Sequence, residues 1–126
     1  MHQKKIENLL KMSGKERFLY FVRKVADFEE VWGLFADGWA MTADNEGRKA
    51  IPFWPEKDFS NLCAEGAWKN YNSKQIKLDK FMSKWLPGME KDGVLVAIFP
   101  TPKNKGVIIQ PKELSASLEE EIEQYE

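Results

Sequence analysis

Histidine and cysteine are almost missing from this chain, and that shortage narrows its possible chemistry. His2 is the only histidine and Cys63 the only cysteine among 126 residues. One cysteine excludes an intramolecular disulfide, and a lone thiol suits a reducing compartment. Acid–base and nucleophilic catalysis need a group that titrates near neutral pH, or a nucleophile beside a base. His2 lies on a terminus expected to fray, and Cys63 falls on the apolar side of a helix with Phe59 and Leu62, where packing is its expected role. The chain also has no Walker loop, no Gly-x-Gly-x-x-Gly, no His-Glu-x-x-His and no Cys-x-x-Cys. No catalytic residue, metal site or cofactor is therefore expected.

Long apolar runs are absent too. Nothing approaches the ~20 apolar residues of a membrane span. Glu7, Asn8 and Lys11 interrupt Ile6, Leu9 and Leu10, so no signal-peptide core forms. The cytoplasm is the expected location, with no membrane partner.

Aromatic residues, by contrast, are plentiful, with five Trp and eight Phe. They can fill the core of a domain of this length without staples. The net charge is −1 but unevenly spread. Residues 1–24 carry seven Lys or Arg against Glu7 and Glu16, whereas residues 113–126 carry six Glu and no base after Lys112. These are two solvated helix faces, or two segments that attract each other within a chain or across a homodimer. Nucleic acid, through Lys4, Lys5, Lys11, Arg17 and Arg23, ranks last, because the domain as a whole is not basic.

Along the chain, residues 3–12 read as a helix. Ser13-Gly14-Lys15-Glu16 is a capping box opening a second helix, with Phe18, Phe21, Val22 and Val25 on one face and its end near Asp27. Strands at 31–35, 39–43 and 49–53, joined by Ala36-Asp37-Gly38 and Asp44-Asn45-Glu46-Gly47, predict a three-stranded meander. Pro55 starts a helix that stops at Gly66, residues 67–75 are loop, and Gln75–Leu78 is a short strand. Asp79 is the expected N-cap of a helix carrying Phe81, Met82 and Trp85, broken or kinked at Pro87-Gly88. Residues 94–99, apolar on both faces, predict a central strand. A last strand at 107–110 and a helix from Pro111, with Leu114, Leu118, Ile122 and Tyr125 inward, complete the chain. The expectation is one α+β domain over 1–126: a mostly antiparallel sheet of five to six strands with about five helices, residues 1–12 being a loosely docked helix.

Several of these strings carry a family resemblance. Phe21-Val22-Arg23-Lys24-Val25-Ala26-Asp27 followed by Glu30-Val31-Trp32-Gly33-Leu34, then Pro52-Phe53-Trp54-Pro55, Trp85-Leu86-Pro87-Gly88, and Phe99-Pro100-Thr101-Pro102 with Gly106-Val107 resemble the bacterial family known as domain of unknown function 2750. The likeness runs from about Arg17 to Tyr125 and implies a small bacterial cytoplasmic protein. It brings no catalytic residues with it. The order of elements is also similar to the N-terminal domain of the serine-sensitivity enhancer proteins and to some toxin-immunity proteins, a likeness of architecture that transfers no function.

Function rests on the aromatics. Ile51 and Phe53 share one strand face and Trp54 takes the other. Trp54 therefore lies either outward or under a neighbouring helix. If outward, Trp54 and Pro55, with Trp39, Trp68 and Trp85, form an interaction surface for a protein partner. The alternative is a small-molecule-binding or hydrolytic domain built on carboxylates at the hairpin ends: Glu29, Glu30, Asp44 and Glu46.

Overall fold

The computed structural model describes residues 3–124, so the expectations for His2 and Tyr125 lie outside the described residues. Helix α1 (Gln3–Leu10) leads into α2 (Gly14–Phe28) through the capping box that Ser13 and Glu16 predict. The Ser13 hydroxyl accepts the Glu16 backbone N–H at 3.1 Å, and the Glu16 carboxylate accepts the Ser13 N–H at 3.0 Å. Helix α1 is docked: Leu9 is buried in the main core, and the Lys5 ammonium reaches the Glu56 carboxylate at 3.1 Å. The same carboxylate accepts the Tyr20 hydroxyl at 2.7 Å.

The meander is not formed. Strand β1 (Glu30–Phe35) pairs antiparallel with β4 (Asn72–Lys77), while β2 (Thr42–Ala43) pairs with β3 (Lys49–Phe53). What survives of the first hairpin is a bridge between Phe35 and Trp39 and two backbone bonds of 2.9 Å, from the Ala36 N–H to the Gly38 carbonyl and from the Ala40 N–H to the Leu34 carbonyl. Residues 72–75, expected as loop, are strand. Asn72, Ser73, Lys74 and Gln75 show no apolar alternation, and Ile76 is the one buried residue of β4, so only pairing with β1 makes them a strand.

The six strands form two sheets rather than one. The first is β1–β4; the second has the order β2–β3–β5–β6, with β5 at Leu95–Ile98 and β6 at Val107–Ile109. Trp32 and Trp54 link them by exchanging backbone hydrogen bonds of 2.9 and 2.8 Å. Pairing is antiparallel throughout except between β3 and β5, which are parallel. The four residues of β5 are all buried, as a central strand requires. One face of this sheet (Phe53, Val96, Ile98) belongs to the main core, and α2 and α6 (Pro111–Glu123) pack over β5. The other face holds a small cluster of Ala50, Leu95 and Ala97.

Helix α3 (Lys57–Cys63) follows Pro55 and ends before a 3₁₀ turn (Gly66–Trp68). Pro87 does not break the next helix. Helix α4 (Leu78–Lys80), capped from Lys77 rather than Asp79, runs through a π-helical turn (Phe81–Trp85) into α5 (Leu86–Asp92). Pro87 has no N–H to donate, and its ring would crowd the carbonyl four residues back in a regular helix. The wider turn immediately before it, with the Leu86 N–H bonded to the Phe81 carbonyl, absorbs that conflict.

Candidate functional site

Because β3 and β5 are parallel, their carboxyl ends lie side by side: Trp54-Pro55 leaves one and Phe99-Pro100 the other. The Phe99 N–H continues the ladder to the Phe53 carbonyl at 2.9 Å, but the Phe99 backbone then turns left-handed, φ 51°. A bulky residue rarely adopts that conformation, which costs ~1–3 kcal/mol. The surroundings hold it there. The Phe99 ring is fully buried against Phe59 and Tyr20, at centroid distances of 4.9 and 6.1 Å. The next carbonyl, that of Pro100, accepts the Trp54 indole N–H at 2.8 Å and the Cys63 thiol at 3.4 Å. Gly106 closes the loop at φ 85°, where an added Cβ would overlap the Ile98 carbonyl oxygen. Between them, Thr101 and Asn104 exchange backbone bonds of 2.9 and 3.1 Å.

Outside this loop stands Trp68. Its half-buried indole meets Trp54 edge to face at 6.2 Å. Trp68, Thr101 and Pro102 are the shared wall of two adjoining open clefts. One, of about 270 Å³, is edged by Thr42, Lys103 and Lys105; the other, of about 400 Å³, by Cys63, Glu65 and Ala67. Lys105 ties the loop to β2 through a 3.3 Å bond to the Ala43 carbonyl. Burial pushes the Cys63 thiol up to about 11, so at neutral pH it is a protonated donor rather than a nucleophile.

The sequence-derived surface is divided by the fold. Trp54 is fully buried and Pro55 is buried, so neither is an outward anchor; the account that places Trp54 in the core is the one realised. A strand that ends between two sheets has no solvent side, which is why alternation alone misplaces it. Trp54 stays with Trp68 as its internal support. Trp39 and Trp85 form a separate group, 4.7 Å apart, with Phe35 at 5.1 Å from Trp39 and Phe53 at 5.8 Å from Trp85. Trp39 lies over Gly33, where an added Cβ would stand 2.9 Å from the indole. The Lys74 ammonium caps this group, 4.3 Å from the Phe35 ring and 5.6 Å from Trp39.

The carboxylates at the hairpin ends do not converge. Glu30 accepts the Trp32 indole N–H at 2.6 Å and the Gln75 amide at 2.7 Å. Asp44 accepts the Glu46 and Arg48 backbone N–H groups and the Arg48 guanidinium; desolvation opposes, but these bonds hold its carboxyl below the usual range. Glu46 is 3.6 Å from the same guanidinium. Glu29 caps α2 in a left-handed conformation and borders a cleft of about 590 Å³ with Asp79, Lys77 and Met82. Among the described residues, no group of three acids, His or Cys is placed to hold a metal ion. The basic set is dispersed as well, since Arg17 is buried and bonded to the Met12 carbonyl while Lys5 pairs with Glu56.

Sequence reasoning missed the Phe99 turn and the Pro100 carbonyl as an internal acceptor. The only local signal was the Phe-Pro-Thr-Pro string before Gly106. Fold and site together define a small α+β domain with an open, aromatic-walled cleft at the ends of its parallel strand pair. The family model described as "Protein of unknown function (DUF2750)" matches residues 18–118, and the chain belongs to that family. The matched span contains both sheets and every residue of the cleft. No curated protein and no solved structure matches the chain.

Proposed function

We propose that this chain is a non-enzymatic, cytoplasmic protein-binding module of regulatory type, and that its contact surface is Trp68 with the Thr101–Lys105 loop. The observation that carries this reading is Trp68 itself: half-exposed, the common wall of two clefts, and set edge to face against buried Trp54. A rigid aromatic already fixed by a neighbour loses little freedom on binding, and such residues dominate interface energies, at ~2 kcal/mol or more on truncation. Exposed Pro102 extends the rigid surface, and Lys103 and Lys105 give its rim a positive side. The test places a photo-crosslinking residue at Lys103 in the native host, with and without Trp68→Ala. One crosslinked protein is expected, lost in Trp68→Ala while the denaturant midpoint moves little. A crosslink that persists in folded Trp68→Ala, or none in the parent, overturns the reading.

A second reading, small-molecule binding, draws on the larger cleft. Glu29 and Asp79 border it above an apolar floor of Ala26, Met82 and Ile122, beside a π-helical turn of the kind that often accompanies sites. It expects thermal stabilisation by a cationic or amphipathic compound that Glu29→Gln abolishes.

A further inference from the structure

We propose that this chain forms a two-fold symmetric dimer through the furrow between α2 and α6. The two helices pack against each other, with Val22 of α2 and Leu114 and Leu118 of α6 buried in the main core, and leave a solvent-facing cleft of about 170 Å³. Leu19 stands on its rim and is 51% exposed, the most of any large apolar side chain among the described residues. Arg23 lies on the α2 side of this cleft, and Glu120 and Glu121 on the α6 side. They line one furrow, yet none of the three joins an ion pair within 4.0 Å among the described residues. Lys15, Leu19 and Arg23 follow one another at four-residue spacing, so they form one stripe along α2.

A patch with cations flanking an exposed leucine on one helix, anions on the other and a cleft between them is complementary to itself. A two-fold axis over the furrow lays α2 of one copy across α6 of the other. Leu19 then enters the partner's furrow, and Arg23 meets the partner's carboxylates at Glu120 and Glu121. Symmetry repeats both contacts. A partner carrying a single sign of charge would satisfy only half of this surface, which is why a second copy is the occupant the charges select. The surface is separate from the Trp68 cleft, so the two proposals stand or fall independently.

The full chain would be followed by sedimentation velocity over a concentration series. A dimer is expected, weakened about tenfold or more by Leu19→Glu and weakened by added salt, since rim ion pairs are screened. Arg23→Glu alone and Glu120→Lys/Glu121→Lys alone should each be monomeric. Mixing those two variants should restore a dimer, because each copy then faces the opposite sign at both contacts. The readout is specific to contact between chains, since no repair within one chain appears only on mixing. Circular dichroism melts confirm that each variant is folded. A monomeric parent, a dimer indifferent to Leu19→Glu, a furrow occupied instead by another protein, or failure of folded variants to pair on mixing overturns the proposal.

Discussion

Trp54 serves two purposes at once: its ring fills the junction between the sheets, and its indole N–H holds the Pro100 carbonyl. The two are separable by substitution. Trp54→Phe keeps most of the ring but leaves that carbonyl only the weak Cys63 thiol, for an expected loss of ~1–2 kcal/mol. Trp54→Ala adds the cavity and should cost ~3–5 kcal/mol. Urea midpoints distinguish them: a Trp54→Phe midpoint equal to the parent's would mean the hydrogen bond contributes nothing, and equal losses in the two variants would mean the ring's volume contributes nothing. Cys63 carries a pH signature. Burial raises its thiol from 9.0 to about 11, so the folded state holds the proton more tightly than the unfolded chain. The resulting stability is fully present below about pH 9 and is lost as pH rises toward about 11. Cys63→Ala should flatten that alkaline decline in a series of urea melts at increasing pH. In the native protein, thiol reagents should label Cys63 far more slowly than in the unfolded chain.

Among elements, the α2 capping box and the loop after β5 make contrasting demands. Ser13→Ala removes an acceptor that Glu16 N–H uses and should cost ~1 kcal/mol. Hydrogen bonds from the Ser13 backbone and side chain hold the Glu16 carboxyl below its ordinary value. Their stabilisation is present at neutral pH and lost as pH falls through that lowered value, so the Ser13→Ala penalty should shrink in acid. The loop is limited by space rather than charge. Gly106→Ala puts a methyl into the Ile98 carbonyl at a left-handed φ, and ~3 kcal/mol or more of destabilisation is expected from strain and overlap together. Gly33→Ala instead pushes on the Trp39 indole, with an expected cost of ~1–3 kcal/mol and a changed Trp fluorescence spectrum. An unshifted spectrum would mean that the Trp39 group does not rest on the strand.

For the whole molecule, the join between α1 and the rest is the point most open to test. Residues 3–12 reach the core through Leu9 and meet the body through Lys5. Deleting residues 1–10, which keeps the Met12 carbonyl that buried Arg17 uses, should remove about what truncating one buried leucine removes, ~2–5 kcal/mol, and leave both sheets intact by circular dichroism. Loss of cooperative unfolding would show instead that α1 is integral to the core.

At the same scale, what was legible in the residues is uneven. The α+β class, the Ser13 box, the central position of β5, the helix from Pro111 and the family itself follow from periodicity, caps and motif strings, which act between near neighbours. The partner of β1, the split into two sheets and the parallel β3–β5 pair do not. Asn72–Gln75 carries no strand pattern of its own, and a strand's partner is chosen by hydrogen bonding and burial across the chain. The fate of the tryptophans was likewise out of local reach. Alternation states that Trp54 and Phe53 point to opposite sides, but whether either side is solvent depends on what folds over it. Here β1 bridges Trp54 through Trp32 and buries it, while Trp68, from a stretch with no regular pattern, is left on the cleft wall. Residue chemistry determined which groups could form a core or a contact; long-range packing decided which of them water still reaches.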